Sequence, residues 1–280
     1  MGTTATDPTL HLPRVLCLHG GGVTAEIFRL QARGLLYHLS SSFRLVFADA
    51  PFFCDAGPGI LPVYADMGPY RRWLRWLPHH APIDASTAAE EIRYQLESAM
   101  EDDDRAGATG EWVGFLGFSQ GAKVSASLLF EAQRRREARR RGEVVRGYDG
   151  EDTQTRLWSQ DWSFAVLMAG RLPLVAMSPD TEALPFQTAG EADSGAERGP
   201  IGEEARLKLP TLHVHGLKDQ GLHLHRQLYE KYCSEDSREL LEWDGDHRVP
   251  VKTSDVQRFV DKMLLVVRKA GIEPGVGRKI

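Results

Sequence analysis

The chain predicts an α/β fold: a mostly parallel sheet of six strands, covered by helices on both faces. Two observations predict it. Short apolar runs alternate along the chain with longer segments whose apolar residues recur at helical spacing, the order that strand–helix–strand crossovers produce. At one of these junctions stands Gly117-Phe118-Ser119-Gln120-Gly121, a pattern that turns sharply from strand into helix.

The elements follow in order. Residues 14–19 (RVLCLH) are apolar without alternation and read as a strand buried on both faces. Residues 24–39 have apolar side chains at helical spacing and read as one helix. Residues 43–48 (FRLVFA) are a second strand, and 86–100 a helix opened by Ser86-Thr87. Residues 111–116 are the third strand, leading through the Gly-x-Ser-x-Gly turn into a helix from Gly121. The fourth strand is 163–169, the fifth 211–215 with a helix over 222–232, and the sixth 239–243, before a closing helix over 253–267. No internal repeat interrupts the series.

Three stretches break the alternation: 52–83, rich in Pro, Gly and aromatics; 131–161, highly charged; and 179–206, rich in Gly, Ala and Glu and expected to be mobile. The strands they separate complete one sheet, so they read as insertions in a single domain over 1–280, its core at 13–268. The first has the character of a lid.

Bulk properties narrow the function. A formal net charge of -5 argues against a general nucleic-acid binder. No apolar run approaches the roughly 18 residues that span a bilayer. The polar start of the chain argues against a secretory leader, and Gly2 with Thr6 fits a myristoylation pattern only loosely. Three widely spaced cysteines, Cys17, Cys54 and Cys233, suggest neither a disulfide framework nor a zinc site. A cytoplasmic location is the resulting expectation.

A serine hydroxyl is a poor nucleophile near neutral pH. It needs a base to take its proton, a group to orient that base, and fixed donors for the negative charge that develops on the substrate carbonyl. The turn supplies Ser119 at the mouth of a helix. Asp219 follows the fifth strand and His247 the sixth, both at the carboxyl ends of strands, where open parallel sheets place their ligands. Ser119 is therefore the candidate nucleophile, His247 the base and Asp219 its orienting acid, in the chain order Ser, Asp, His. Asp244 stays a minor alternative acid, and Asp246 is poorly placed as the neighbour of His247. The oxyanion donors are expected to be the backbone N–H of Gln120 and one from His19-Gly20-Gly21-Gly22, Gly21 first and Gly22 second. That glycine run lacks the Lys-Ser/Thr ending of a phosphate loop. His213, His215, His223 and His225 could suggest a metal, but only His213 and His215 lie on one face of a strand, His223 and His225 share no helix face, and neither cysteines nor a carboxylate pattern accompany them. No metal and no cofactor are expected.

These segments resemble the FSH1-type fungal serine hydrolases of the α/β-hydrolase superfamily. The likeness rests on residues 15–20 (VLCLHG), 47–52 (FADAPF), 114–122 (GFLGFSQGA) and 245–250 (GDHRVP). It implies an α/β-hydrolase fold and catalysis through an acyl-serine. Residues 57–62 (GPGILP) and 68–73 (GPYRRW) look like a subgroup encoded in fungal polyketide clusters, similar to the thioesterase of the lovastatin pathway. That subgroup implies release of an acyl chain from a carrier-protein thioester. Members often have a glycine just before the histidine, where this chain has Asp246.

The substrate is thus expected to be an acyl ester or thioester. The alternatives are a carboxylesterase acting on a free small molecule, or a binding protein that keeps the fold without turnover. Tyr64, Tyr70, Trp73 and Trp76 offer apolar faces near the strand ends and are the candidate acyl-binding residues, or else a satellite cluster that packs the insertion onto the body. The basic run Arg134-Arg135-Arg136 and Arg139-Arg140-Arg141 suits a solvated helix C-terminus, or docking of an acidic acyl-carrier domain.

Overall fold

A computed structural model describes residues 7–148, 150 and 155–278; the loose myristoylation pattern lies outside them. Six strands form one parallel sheet: β1 (Arg14–Leu18), β2 (Arg44–Ala48), β5 (Trp112–Phe118), β6 (Phe164–Met168), β9 (Thr211–Gly216) and β10 (Arg238–Trp243). Their order across the sheet is β10-β9-β6-β5-β1-β2. Every residue of β1, β5, β6 and β9 is buried, which is why β5 and β6 read as unbroken apolar runs; β9 alternates in sequence yet buries Thr211, His213 and His215 as well.

One face of the sheet is covered by α1 (Ala25–Gln31), α2 (Arg33–Leu39) and α7 (Thr253–Lys269). α7 buries Val256, Phe259, Val260, Met263, Val266 and Val267, a spacing of three and four that makes one apolar stripe. The other face is covered by α3 (Ala85–Arg105) and α4 (Gln120–Arg141). The helix expected over 24–39 is two helices, because Ala32 leaves helical geometry at φ −87°, ψ 10°. Thr24 caps α1 by accepting from Ile27 N–H. α3 starts a residue earlier than expected, capped by Asp84 rather than Ser86. The helix expected over 222–232 runs as α6 (Leu222–Gln227) and then loosens into a π turn.

The insertions are ordered in part by pairing. Within 52–83, β3 (Phe52–Cys54) and β4 (Tyr70–Arg72) form an antiparallel ribbon, and Arg71 bridges to Val23 beside the glycine loop. After β6 the chain pairs β7 (Val175–Ala176) with β8 (Gln187–Thr188) around the short α5 (Pro179–Glu182), and β11 (Ile272–Glu273) pairs with β12 (Gly277–Arg278) after α7. The stretch 179–206, expected to be mobile, is anchored. Asp193 is buried and accepts from Lys123 Nζ at 2.7 Å and from Arg171. Lys123 is itself fully buried in α4 and also reaches Gln187. Burial pulls its pKa down to about 8 against the pull of Asp193. Removing one partner of such a pair would strand a buried charge, so this clasp holds the loop to the helix that carries Ser119.

Candidate active site

Ser119 sits between β5 and α4 with φ 54° and ψ −116°, a backbone conformation that costs a side-chain-bearing residue about 1–3 kcal/mol. The glycines around it explain how it is tolerated. A Cβ at Gly117 would stand 2.4 Å from Gly121 O, and one at Gly121 would stand 2.1 Å from Leu18 O. Only glycine lets strand and helix approach this closely. Ser119 N–H donates to Met168 O at 2.8 Å, tying the turn to the next strand.

Three elements then converge. His247 Nε2 lies 2.9 Å from Ser119 Oγ, and His247 Nδ1 lies 2.6 Å from Asp219 Oδ2. Gly221 N–H donates to the other carboxylate oxygen at 2.8 Å. Burial pushes the Asp219 carboxyl up, but the hydrogen bonds from His247 and Gly221 outweigh it and hold it below its ordinary range. Phe118 packs on the His247 ring at 5.0 Å and fixes its plane. The rival acids face elsewhere: Asp244 pairs with Lys218 and Asp246 with Arg248. The ring of His247 can take the serine proton on one side while the carboxylate steadies the resulting cation on the other.

The loop after β1 is built to face the nucleophile. His19 is fully buried; its Nδ1 is 2.7 Å from Gly20 O, and its Nε2 accepts from Ala50 N–H at 3.0 Å. Burial lowers its pKa to about 4, so it is a neutral brace. Asp49 accepts from Ala25 N–H, and Arg71 donates to Ala50 O. These bonds are the physical content of the Asp-Ala-Pro-Phe segment. Gln120 opens α4, so its N–H has no carbonyl one turn earlier in the helix and is free to serve an oxyanion. Gly22 does not qualify as a donor: its N–H is spent on Arg71 O at 2.8 Å, in the left-handed turn at φ 78°. That leaves Gly21.

The Gln120 side chain has a second task that the sequence did not suggest. Its Oε1 accepts from Trp73 and Leu74 N–H, and its Nε2 donates to Leu74 O. It therefore pins the insertion against the elbow. Gln120→Ala strands these buried groups, at about 1–3 kcal/mol each before water compensates. The expected outcome is a lower urea midpoint and a fall in kcat together, checked by denaturation and steady-state kinetics.

The four aromatic candidates separate. Trp73 is fully buried, donates Nε1–H to His19 O at 2.8 Å and packs on the His19 ring. It is a brace of the glycine loop and offers no face to a substrate, which corrects the expectation. Tyr64 and Tyr70 pack around Val23, Ile27 and Ile60, and the Tyr70 hydroxyl donates to Tyr64 O; they form the satellite cluster. Trp76 alone lies over the loop, its ring 2.9 Å from where a Gly21 Cβ would be, with His80 stacked edge-on. The basic run ends α4 under a Gly142 cap. Arg135 is buried against Glu131 and Trp158, and Arg136 pairs with Asp161. Arg139 to Arg141 stand about 30 Å along the helix from Ser119.

A sequence profile for the family described as Serine hydrolase (FSH1) matches residues 9–259. The chain belongs to the FSH1 serine hydrolases. It is 47% identical over 278 residues to Esterase claE of Penicillium crustosum, covering 97% of this chain and 100% of that one. It is 49% identical over 253 residues to Esterase citA of Monascus ruber, covering 89% and 90%. Among solved structures, a carboxylesterase from Mesorhizobium loti aligns with TM-score 0.49 at 14% identity, over 90% of this chain and 88% of that one. This FSH1 serine hydrolase is an ester-hydrolysing enzyme with an α/β-hydrolase fold. Among the described residues, no helix is long and apolar enough to cross a membrane.

Proposed function

We propose that Ser119, His247 and Asp219 are the catalytic triad of this hydrolase, with Gln120 N–H and Gly21 N–H as the oxyanion donors. The observation that carries this is the unbroken line of contacts, 2.9 Å and then 2.6 Å, from the serine through the imidazole to a buried carboxylate. Ser119 attacks the acyl carbon as His247 takes its proton. His247 returns that proton to the leaving oxygen or sulfur, and water then releases the acid by the same route. A fluorophosphonate probe should modify Ser119 and no other serine, read by peptide mass; an unmodified Ser119 overturns the assignment.

The finer reading concerns the acyl group. Trp76 over the glycine loop supplies an apolar wall for an acyl chain at the reacting carbon. Trp76→Ala should lower kcat/KM by about tenfold for long or aromatic acyl esters, and less for acetyl esters, since a lost apolar contact is worth about 1–3 kcal/mol. An equal loss for every ester excludes this role. The likeness to polyketide-cluster members supports release of a carrier-bound polyketide thioester as the natural reaction, with a cytoplasmic enzyme meeting its carrier there. A carrier docked on Arg139 to Arg141 would have to reach back about 30 Å, so any carrier is better received near Trp76. Matched oxygen esters and thioesters of one acyl series, free and carrier-bound, decide between these substrates by kcat/KM.

A further inference from the structure

Beside the triad lies a second imidazole that the hydrolytic reaction does not use. His225, on α6, is 98% buried on the figure of 2% exposure, and its Nδ1 has no hydrogen-bond partner among the described residues. That nitrogen points at the triad carboxylate, 3.8 Å from Asp219 Oδ2. Asp219, His225 and His247 each present one ligand atom within 4.8 Å of the other two. It shares only His225 with the group that the sequence suggests. His213 and His215 are buried along β9 with Tyr229 against them.

We propose that Asp219, His225 and His247 form a site for a divalent transition-metal ion, Zn2+ being the natural fit, and that its occupancy switches the hydrolase off. Two imidazole nitrogens and one carboxylate oxygen are a zinc donor set, with the fourth position open to water. His247 faces solvent, its side chain 47% exposed, so the ion has an entry path and that water has room. Tetrahedral ligands at zinc distances stand about 3.3 Å apart. The His225–Asp219 pair at 3.8 Å closes slightly to reach this, and the His247–Asp219 contact at 2.6 Å opens.

The switch follows from proton bookkeeping, and this part rests on the triad assignment above. The triad assignment puts a ring proton of His247 on Nδ1, facing Asp219, and leaves Nε2 to accept from Ser119. A metal on Nδ1 moves that proton to Nε2. The imidazole then donates to Ser119 Oγ and has no lone pair left to take the serine proton. Binding and inhibition are thus one event at one nitrogen, with no change at Ser119 itself.

Two measurements test this. In the Ser119→Ala protein, which keeps all three ligands, Co2+ should give the visible absorption of a tetrahedral site at one equivalent and be displaced by Zn2+. In the Ser119→Ala/His225→Gln double variant that signal should vanish. In the active enzyme, Zn2+ should inhibit ester turnover and a chelator should restore it. His225→Gln should raise the half-inhibitory Zn2+ concentration by about tenfold or more, read against that variant's own metal-free rate. His79→Gln, at the exposed His79–Asp55 pair, should leave it unaltered. No cobalt spectrum in Ser119→Ala, or a half-inhibitory concentration that follows His79 rather than His225, overturns the site. A cobalt spectrum without inhibition by Zn2+ keeps the site but overturns the switch; the triad assignment is judged apart from it, by fluorophosphonate labelling of Ser119.

Discussion

Ser119→Ala should reduce kcat by about 10^4–10^6-fold while leaving KM for a short ester within a few-fold. The hydroxyl is the only atom removed, and everything that orients it stays. Gly117 and Gly121 still allow the tight turn, Ser119 N–H still meets Met168 O, and His247 still meets Asp219. Residual turnover would come from the oxyanion donors and binding alone. Fold stability should be unchanged or slightly higher, because the hydroxyl makes no packing contact that alanine lacks, while the backbone strain at φ 54° remains. The measurement is single-turnover hydrolysis of a chromogenic ester beside urea denaturation of the same preparation. Retained activity in a folded Ser119→Ala protein sinks the mechanism.

Asp219→Asn should cost about 10^4 in kcat near neutral pH. The asparagine amide can present an N–H to His247 Nδ1. The ring would then carry its proton on Nε2, facing Ser119, where a base needs a lone pair. The same variant carries a signature in stability. The Asp219 carboxyl is held below its ordinary value of 3.8 in the folded protein, with burial pushing it up and the His247 and Gly221 hydrogen bonds outweighing burial. A depressed carboxyl contributes stability that is fully present above the unfolded value and is lost as pH falls through the folded value. The stability gap between wild type and Asp219→Asn should therefore be widest above about pH 4 and shrink on acidification. Urea midpoints at several pH values check the sign; a gap that widens in acid contradicts the assigned charge.

The parts of the candidate site that were legible in sequence are those fixed by strand order. Ser119, Asp219 and His247 each follow a strand of the parallel sheet, and an all-parallel sheet brings the carboxyl ends of its strands to one edge. The aromatic insertion was legible only as composition. Trp73, Trp76, Tyr64 and Tyr70 are equivalent on paper, yet one is a buried brace, one lies over the glycine loop, and two pack a satellite cluster. Lys123 left a readable trace, a single cation inside an otherwise small and apolar run after the elbow. Its partner Asp193, 70 residues away, left none.

The sheet, the elbow and the chain order of Ser119, Asp219 and His247 can be read from the sequence, because they depend on local periodicity, glycine sterics and a connection rule that holds throughout parallel sheets. That Gly22 spends its N–H on Arg71 O while Gly21 makes no backbone bond among the described residues is visible only in the folded chain. It alone showed that Gln120 holds the insertion with its side chain, and that His225 stands against the triad carboxylate. Each of those facts is a contact between distant segments, settled by packing once the sheet has formed, and no spacing along the chain encodes it.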